Sequence, residues 1–201
     1  MTWSHQLSVI KIEEQFKDSY IQIETEHLSL RTIALSDSEP VFKYRSDFKI
    51  NQYQNWIPKT MSEVRDFIEN KVSFEIDQPD TWHQLVIIKK ESNGLIGDIG
   101  IHFLDWDNYQ VELGCTLDKQ SQGKGYATEA LRGTINYLFD KLNKRRIIAS
   151  VDPRNQKSIQ LMERLGFRKE AHHKESILIN NEWVDDLIYA ILAHEWMPPI
   201  D

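Results

Sequence analysis

The sequence predicts a mixed α/β fold, a sheet with helices packed on its faces, and three observations carry that expectation. Short segments that alternate apolar and polar residues are interleaved with segments whose apolar residues recur at three- and four-residue spacing. In the middle of the chain QLVIIKK, LIGDIGIHFL and YQVELGCTL follow one another across ESNG and DWDN, both good turn chemistry, so three consecutive strands form an antiparallel meander. Directly after the third strand, QSQGKGYATEALR runs from a glycine-punctuated loop into a helical pattern.

The elements follow in order. Tyr20-Ile21-Gln22-Ile23 alternates weakly, which fits a strand or an arm folded on the domain. Leu28 to Ile33 alternates well enough for a strand, and Ser36-Asp37-Ser38-Glu39-Pro40 then offers cap residues and an early proline to open a helix. A second helix starts at Thr60 or Ser62, with Val64, Phe67, Ile68, Lys71 and Val72 along one side. Beyond the meander, Ala130, Leu131, Thr134, Ile135, Leu138 and Leu142 mark a helix with one buried face. RRIIASV is a short apolar strand, Asn155-Gln156-Lys157-Ser158 opens a further helix, and Gly166 closes it as a left-handed cap. Two last strands, roughly Arg168 to Ile179 and Trp183 to Leu192, are joined by an Asn180-Asn181 turn.

A chain of 201 residues that is 40% hydrophobic holds enough apolar material for one core. We expect a single domain over residues 27–201, preceded by an extension of uncertain structure over residues 1–26. The formal net charge of -7 leaves no electrostatic footprint for nucleic acid, and it is compatible with a cationic substrate such as an amine. The single cysteine, Cys115, excludes an intramolecular disulfide and fits a reducing compartment, so a cytoplasmic location is expected. The N-terminus mixes Glu13, Glu14 and Asp18 into its apolar residues, unlike a signal peptide. No stretch approaches the roughly 18 consecutive apolar residues of a membrane span, so no membrane association is expected.

Gly123 and Gly125 allow backbone angles closed to other residues and let a ligand approach the main chain. The start of the following helix leaves N–H groups without partners, and Lys124 adds a full positive charge, so the loop suits a phosphate. It is not a P-loop, which needs glycine where Asp118 stands and Ser or Thr where Gly125 stands. A dinucleotide fingerprint fails at Thr128 and lacks a parallel strand context.

With their flanks, VELGCTLDKQSQGKGYATEAL and SVDPRNQKSIQLMERLGFRKE resemble the two central motifs of the GNAT superfamily of N-acetyltransferases, in particular its ribosomal-protein acetyltransferase-like branch. The pattern Q/R-x-x-G-x-G/A reads Gln120 to Gly125, and N-x-x-S followed by LGF reads Asn155, Ser158 and Leu165-Gly166-Phe167. The resemblance extends from about Leu28 to Trp196, and NNEWVDDLIYAILAHEW is similar to that branch's closing strands. It implies a mostly antiparallel central sheet flanked by helices and acetyl-coenzyme A as co-substrate, with no metal. It also implies an amine acceptor, either the N-terminus of a ribosomal or other protein or a small amine, and a monomer or homodimer. On this likeness Gln122, Gly123, Lys124, Gly125, Tyr126 and Ala127 hold the pyrophosphate, and the pantetheine arm adds alongside the strand that ends at Leu117. The branch often carries arginine or tryptophan at the place of Gln122, which removes some support for the phosphate.

The resemblance places a glutamate beside the acetyl group, and Glu112 fills that place as the base, acting through water; Asp98 and His102 on the neighbouring strand are the alternatives. Many relatives use a tyrosine as proton donor in the helix after Asn155, where this chain has Met162. Ser158 matches the serine the branch retains, a donor to the thiolate or the pantetheine, and equally a residue at home in a first helical turn. Asn155 fits a contact to the pantetheine amides or a plain helix cap. Cys115 sits in an apolar strand, where a core role is expected over a nucleophilic one. His172, His173 and His194 lack metal spacing, and Trp56 stands where it can line an acceptor cleft. A coenzyme A-binding sensor without catalysis is the alternative to the transferase.

Overall fold

Strand β1 (Gln22–Glu24) lies at one edge of an eight-stranded sheet, next to β2 (Leu28–Thr32), whose Leu28, Leu30 and Thr32 point inward in strict alternation. The computed structural model describes residues 20–104 and 109–197. Most of the expected N-terminal extension, and the DWDN turn, lie outside the described residues. The meander forms as expected from β3 (Thr81–Lys89), β4 (Gly94–Phe103) and β5 (Gln110–Leu117), antiparallel throughout. Then come β6 (Arg146–Val151), β7 (Arg168–Ile179) and β8 (Glu182–Leu192), and the sheet order is β1-β2-β3-β4-β5-β6-β8-β7. Both Asn180 and Asn181 adopt positive φ, 51° and 65°, the geometry a two-residue hairpin needs and asparagine tolerates.

Among the described residues, five α-helices cover the two faces. Helix α1 (Ser38–Arg45), the short α2 (Phe48–Asn51) and α3 (Met61–Asn70) lie on one side, around Ile33, Val41, Tyr44, Val64, Ile68 and Val86. Helix α2 was not expected from the sequence; it is a single turn capped by the Asp47 carboxylate accepting from Lys49 N. On the other side α4 (Tyr126–Asp140) and α5 (Gln156–Arg164) pack on Leu85, Ile99, Ile101, Val111, Leu113, Ile147 and Ala149. Ala130, Leu131, Thr134, Ile135 and Leu138 of the predicted inner face of α4 are buried, whereas Leu142 lies just beyond the helix end and is half-buried. Asn155 caps α5, and the helix ends as predicted at Gly166 (φ 84°), where Gly166 N donates to Glu163 O and Phe167 N to Met162 O.

One pairing departs from the antiparallel rule and shapes the molecule. Strands β5 and β6, joined through α4, run parallel and pair only over Gln110–Arg146, Val111–Ile147 and Glu112–Ile148. Beyond Glu112 they diverge, so Leu113 to Leu117 pair with β4 alone and the β6 side of this half-strand is open.

Candidate active site

The open wedge has Glu112 at its vertex and the glycine loop at its far end. The five residues from Leu113 to Leu117 set Glu112 about 17 Å from the strand end that leads into the loop, at roughly 3.4 Å per residue. At the far end a 3-10 turn (Lys119–Ser121) leads to Gly123 (φ 75°) and Gly125 (φ 87°), and Gly125 caps α4 without a side-chain hydrogen bond. A Cβ built on either glycine meets nothing within 4 Å, so the loop faces open space while its backbone is held in the left-handed region. Gln122 turns its amide back to donate to Leu117 O (3.0 Å), tying the loop to the strand end in place of the basic or indole side chain common in the branch. Lys124 is exposed, and Tyr126 and Ala127 are half-buried in the first turn of α4. An open anion-sized cradle with a strand edge leading away from it fits the pyrophosphate and pantetheine of acetyl-coenzyme A.

Across the wedge, Asn155 Oδ1 accepts from Ser158 N (3.2 Å), so the capping role of Asn155 is present in the fold. The half-buried Ser158 hydroxyl makes no hydrogen bond to the described residues, whereas Met162 is buried in the core.

Glu112 and its surroundings lie on the α1–α3 side of the sheet. Strand alternation puts Glu112, Gly114 and Thr116 on this side, and cross-strand pairing sets them opposite His102, Gly100 and Asp98. Gly100 and Gly114 leave bare backbone between the two polar pairs. A methyl at Gly114 would enter empty space, whereas one at Gly100 would sit 3.2 Å from the Trp82 ring, which lies over that strand. Trp82 stacks on His102 with ring centroids 4.5 Å apart and planes 9° from parallel. His102 Nδ1 is 3.9 Å from Glu112 Oε2, and the Glu112 side chain is 27% exposed. Burial pushes the Glu112 carboxyl above its usual range; His102 partly offsets this and the nearby Asp186, itself buried and bonded by Ser150 Oγ (2.7 Å), adds to it.

Asp98, one of the alternative bases, is locked away. It accepts from Tyr44 OH (2.5 Å) and from Arg45 Nε (2.9 Å) and Nη2, and it is 1% exposed. Its lone pairs are taken up by a buried guanidinium and a tyrosine hydroxyl. The same Arg45 donates to Gln54 Oε1, and Gln54 Nε2 donates to Thr116 Oγ1 (2.6 Å), which fastens the loop after α2 to β5. Trp56 stacks on Phe67 (4.2 Å) beneath Arg45 and lines a shallow cleft with Ser62, Glu63, Asp66 and Lys71, apart from Glu112 and Ser158. Cys115 packs against the core, and burial pushes its thiol up to about 12. His172 pairs with Asp185 (2.7 Å), and no group of three metal-ligating side chains occurs among the described residues.

Gly100 and Asp186 were not singled out in the sequence. The signal for Gly100 was present: it stands two residues from His102, hence on the same strand face.

The family model for the acetyltransferase (GNAT) domain matches residues 27–168. The chain is 34% identical over 175 residues to the N-acetyltransferase p20 of Bacillus licheniformis, covering 86% of this chain and 96% of that protein. A solved GNAT-family acetyltransferase from Bacillus anthracis superposes with a TM-score of 0.77 at 30% identity, covering 87% of this chain and 99% of that one. Over 86 residues the chain is 37% identical to the ribosomal protein uS5-alanine N-acetyltransferase of Escherichia coli (strain K12), 43% of this chain and 44% of that protein. The chain belongs to the GNAT family of N-acetyltransferases. Acetyltransferases of this family use acetyl-coenzyme A as co-substrate.

Proposed function

We propose that this chain acetylates a primary amine, a protein N-terminus or a small amine, by direct attack on acetyl-coenzyme A in a ternary complex. The observation that carries the reading is the end of β5–β6 pairing at Glu112, which leaves one carboxylate where an acceptor entering from the α1–α3 side meets a group lying along β5. Acetyl-coenzyme A, when bound, supplies the thioester carbonyl. Gln122 to Ala127 hold its pyrophosphate through backbone N–H groups, Lys124 adds charge, and the β5 edge down to Leu117 aligns the arm. Bare backbone at Gly114 gives the acceptor nitrogen room next to Glu112. Glu112 removes an ammonium proton through a water, and its raised carboxyl range brings it closer to the basicity a general base needs near neutral pH. Ser158 directs its hydroxyl toward the departing sulfur, and Asn155 holds both the helix and the arm.

Coenzyme A release measured with alanine- and serine-initiated peptides and with spermidine tests the reading. Turnover with at least one amine is expected, while tight acetyl-coenzyme A binding with no turnover across the panel would favour a sensor instead.

A further inference from the structure

A base that strips protons must pass each one on before the next turnover, and with acceptor and arm in place Glu112 has little open solvent left. Its cross-strand neighbour offers a way out. His102 stands between two carboxylates, with Nδ1 3.9 Å from Glu112 Oε2 and Nε2 3.5 Å from Asp80 Oδ1. The Asp80 side chain is 91% exposed, that of His102 is 19% exposed, so the imidazole spans from the interior to the surface. Both gaps exceed a direct hydrogen bond, and a small swing or one water closes each. Trp82 holds the ring plane by stacking, and it lies flat there because Gly100 has no side chain. Among the described residues, the charged groups at ion-pair distance from the imidazole are Asp80, from the loop before β3, and Glu112, from β5. On β3 the neighbour is the uncharged indole, and from β8 Asp186 acts on Glu112.

We infer that His102 is a positioning and relay residue that carries the proton from Glu112 to solvent by way of Asp80, held in place by Trp82. The inference rests on Glu112 being the base. In each cycle the amine N–H bond breaks, and the proton passes through water to Glu112 and on to His102 Nδ1. The resulting imidazolium releases its Nε2 proton toward Asp80 and bulk water, and exchange with solvent restores the starting tautomer. Two protons leave the ammonium nitrogen in all: the first reaches solvent by this route, and the second, lost as the C–N bond forms and the C–S bond breaks, goes to the departing thiolate to give the coenzyme A thiol.

Two measurements test it. NMR of the histidine ring signals, with the His102 signal assigned by its loss in His102→Asn, needs no acceptor: Glu112→Gln should move the His102 Nδ1 resonance. The surface change Asp80→Asn should move its Nε2 resonance. His102 resonances that neither change moves overturn the coupling. In turnover assays with the amine found active, His102→Asn should lower kcat about tenfold, leave KM for acetyl-coenzyme A unchanged, and recover with imidazole in the buffer. A parental kcat, or a loss that imidazole does not restore, removes the relay. If Glu112→Gln itself keeps parental kcat, the base assignment fails and takes the relay with it; if Glu112→Gln is impaired and His102→Asn is not, the relay alone fails.

Discussion

Glu112→Gln keeps the shape of the side chain and removes its charge and its basicity. Its expected effect can be worked from the surroundings. The carboxylate is 27% exposed, its nearest potential cation is 3.9 Å away on His102, and buried Asp186 pushes against it. Ionised Glu112 therefore weakens the fold at neutral pH: burial favours the uncharged form, so the stability associated with that form is present in acid and is lost as pH rises through the raised carboxyl range. An amide does not carry this cost. The variant should melt at the same temperature as the parent in acid and at an equal or higher one at pH 7. Catalysis should move the other way, with kcat falling about 10²-fold, or about 2.7 kcal/mol, the scale of a positioned proton transfer. The deficit is largest between the Glu112 carboxyl range and the ammonium range of the acceptor. Below that window the parent's base is protonated, and above it the amine is already neutral. Thiol release followed from pH 5 to 10, beside calorimetric acetyl-coenzyme A affinity that stays at the parental level, measures all of this. Parental kcat across the range, or a loss confined to KM for the acceptor, would refute the assignment.

Gly123→Val places a β-branched residue at φ 75°, a strain of about 1–2 kcal/mol that corresponds to about tenfold in acetyl-coenzyme A affinity. Calorimetry on the folded variant checks it, and parental affinity would locate the cradle elsewhere. Cys115→Ala should keep parental kcat with intersecting double-reciprocal lines, since burial holds the thiol near 12; parallel lines with an isolable acetylated enzyme would point to a covalent route. Asp98→Asn strips the buried Arg45 of its counter-charge, at a cost of about 3–5 kcal/mol. In a domain of this size that lowers Tm by about 10 °C, read by circular dichroism, and an unchanged Tm would show that the pair does not hold α1 to the sheet.

The parts of this molecule that were legible in the sequence are those whose physics is local. Period-two and period-3.6 patterns marked the meander and the buried face of α4, the Asn180-Asn181 pair marked a hairpin, and the two glycines marked an open loop of left-handed backbone, because each depends on residues within a turn or two of one another. Helix α2 was hidden because one turn carries no period to detect. The chemistry of the carboxylates was decided only by tertiary structure. Glu112 and Asp98 both lie on strands of the meander and on the same face, and nothing nearby in sequence tells them apart. Arg45 and Tyr44, more than fifty positions earlier, neutralise Asp98, while the chain sets His102 beside Glu112 through the register of β4 on β5. The wedge likewise follows from strand order: β5 and β6 are parallel neighbours because the α4 crossover returns the chain in the same direction, and they part after Glu112 because β5 stays paired with β4 while β6 stays paired with β8. Which of the two carboxylates meets a buried guanidinium and which borders the wedge is a property of long-range pairing, and that pairing exists only once the sheet has closed around it.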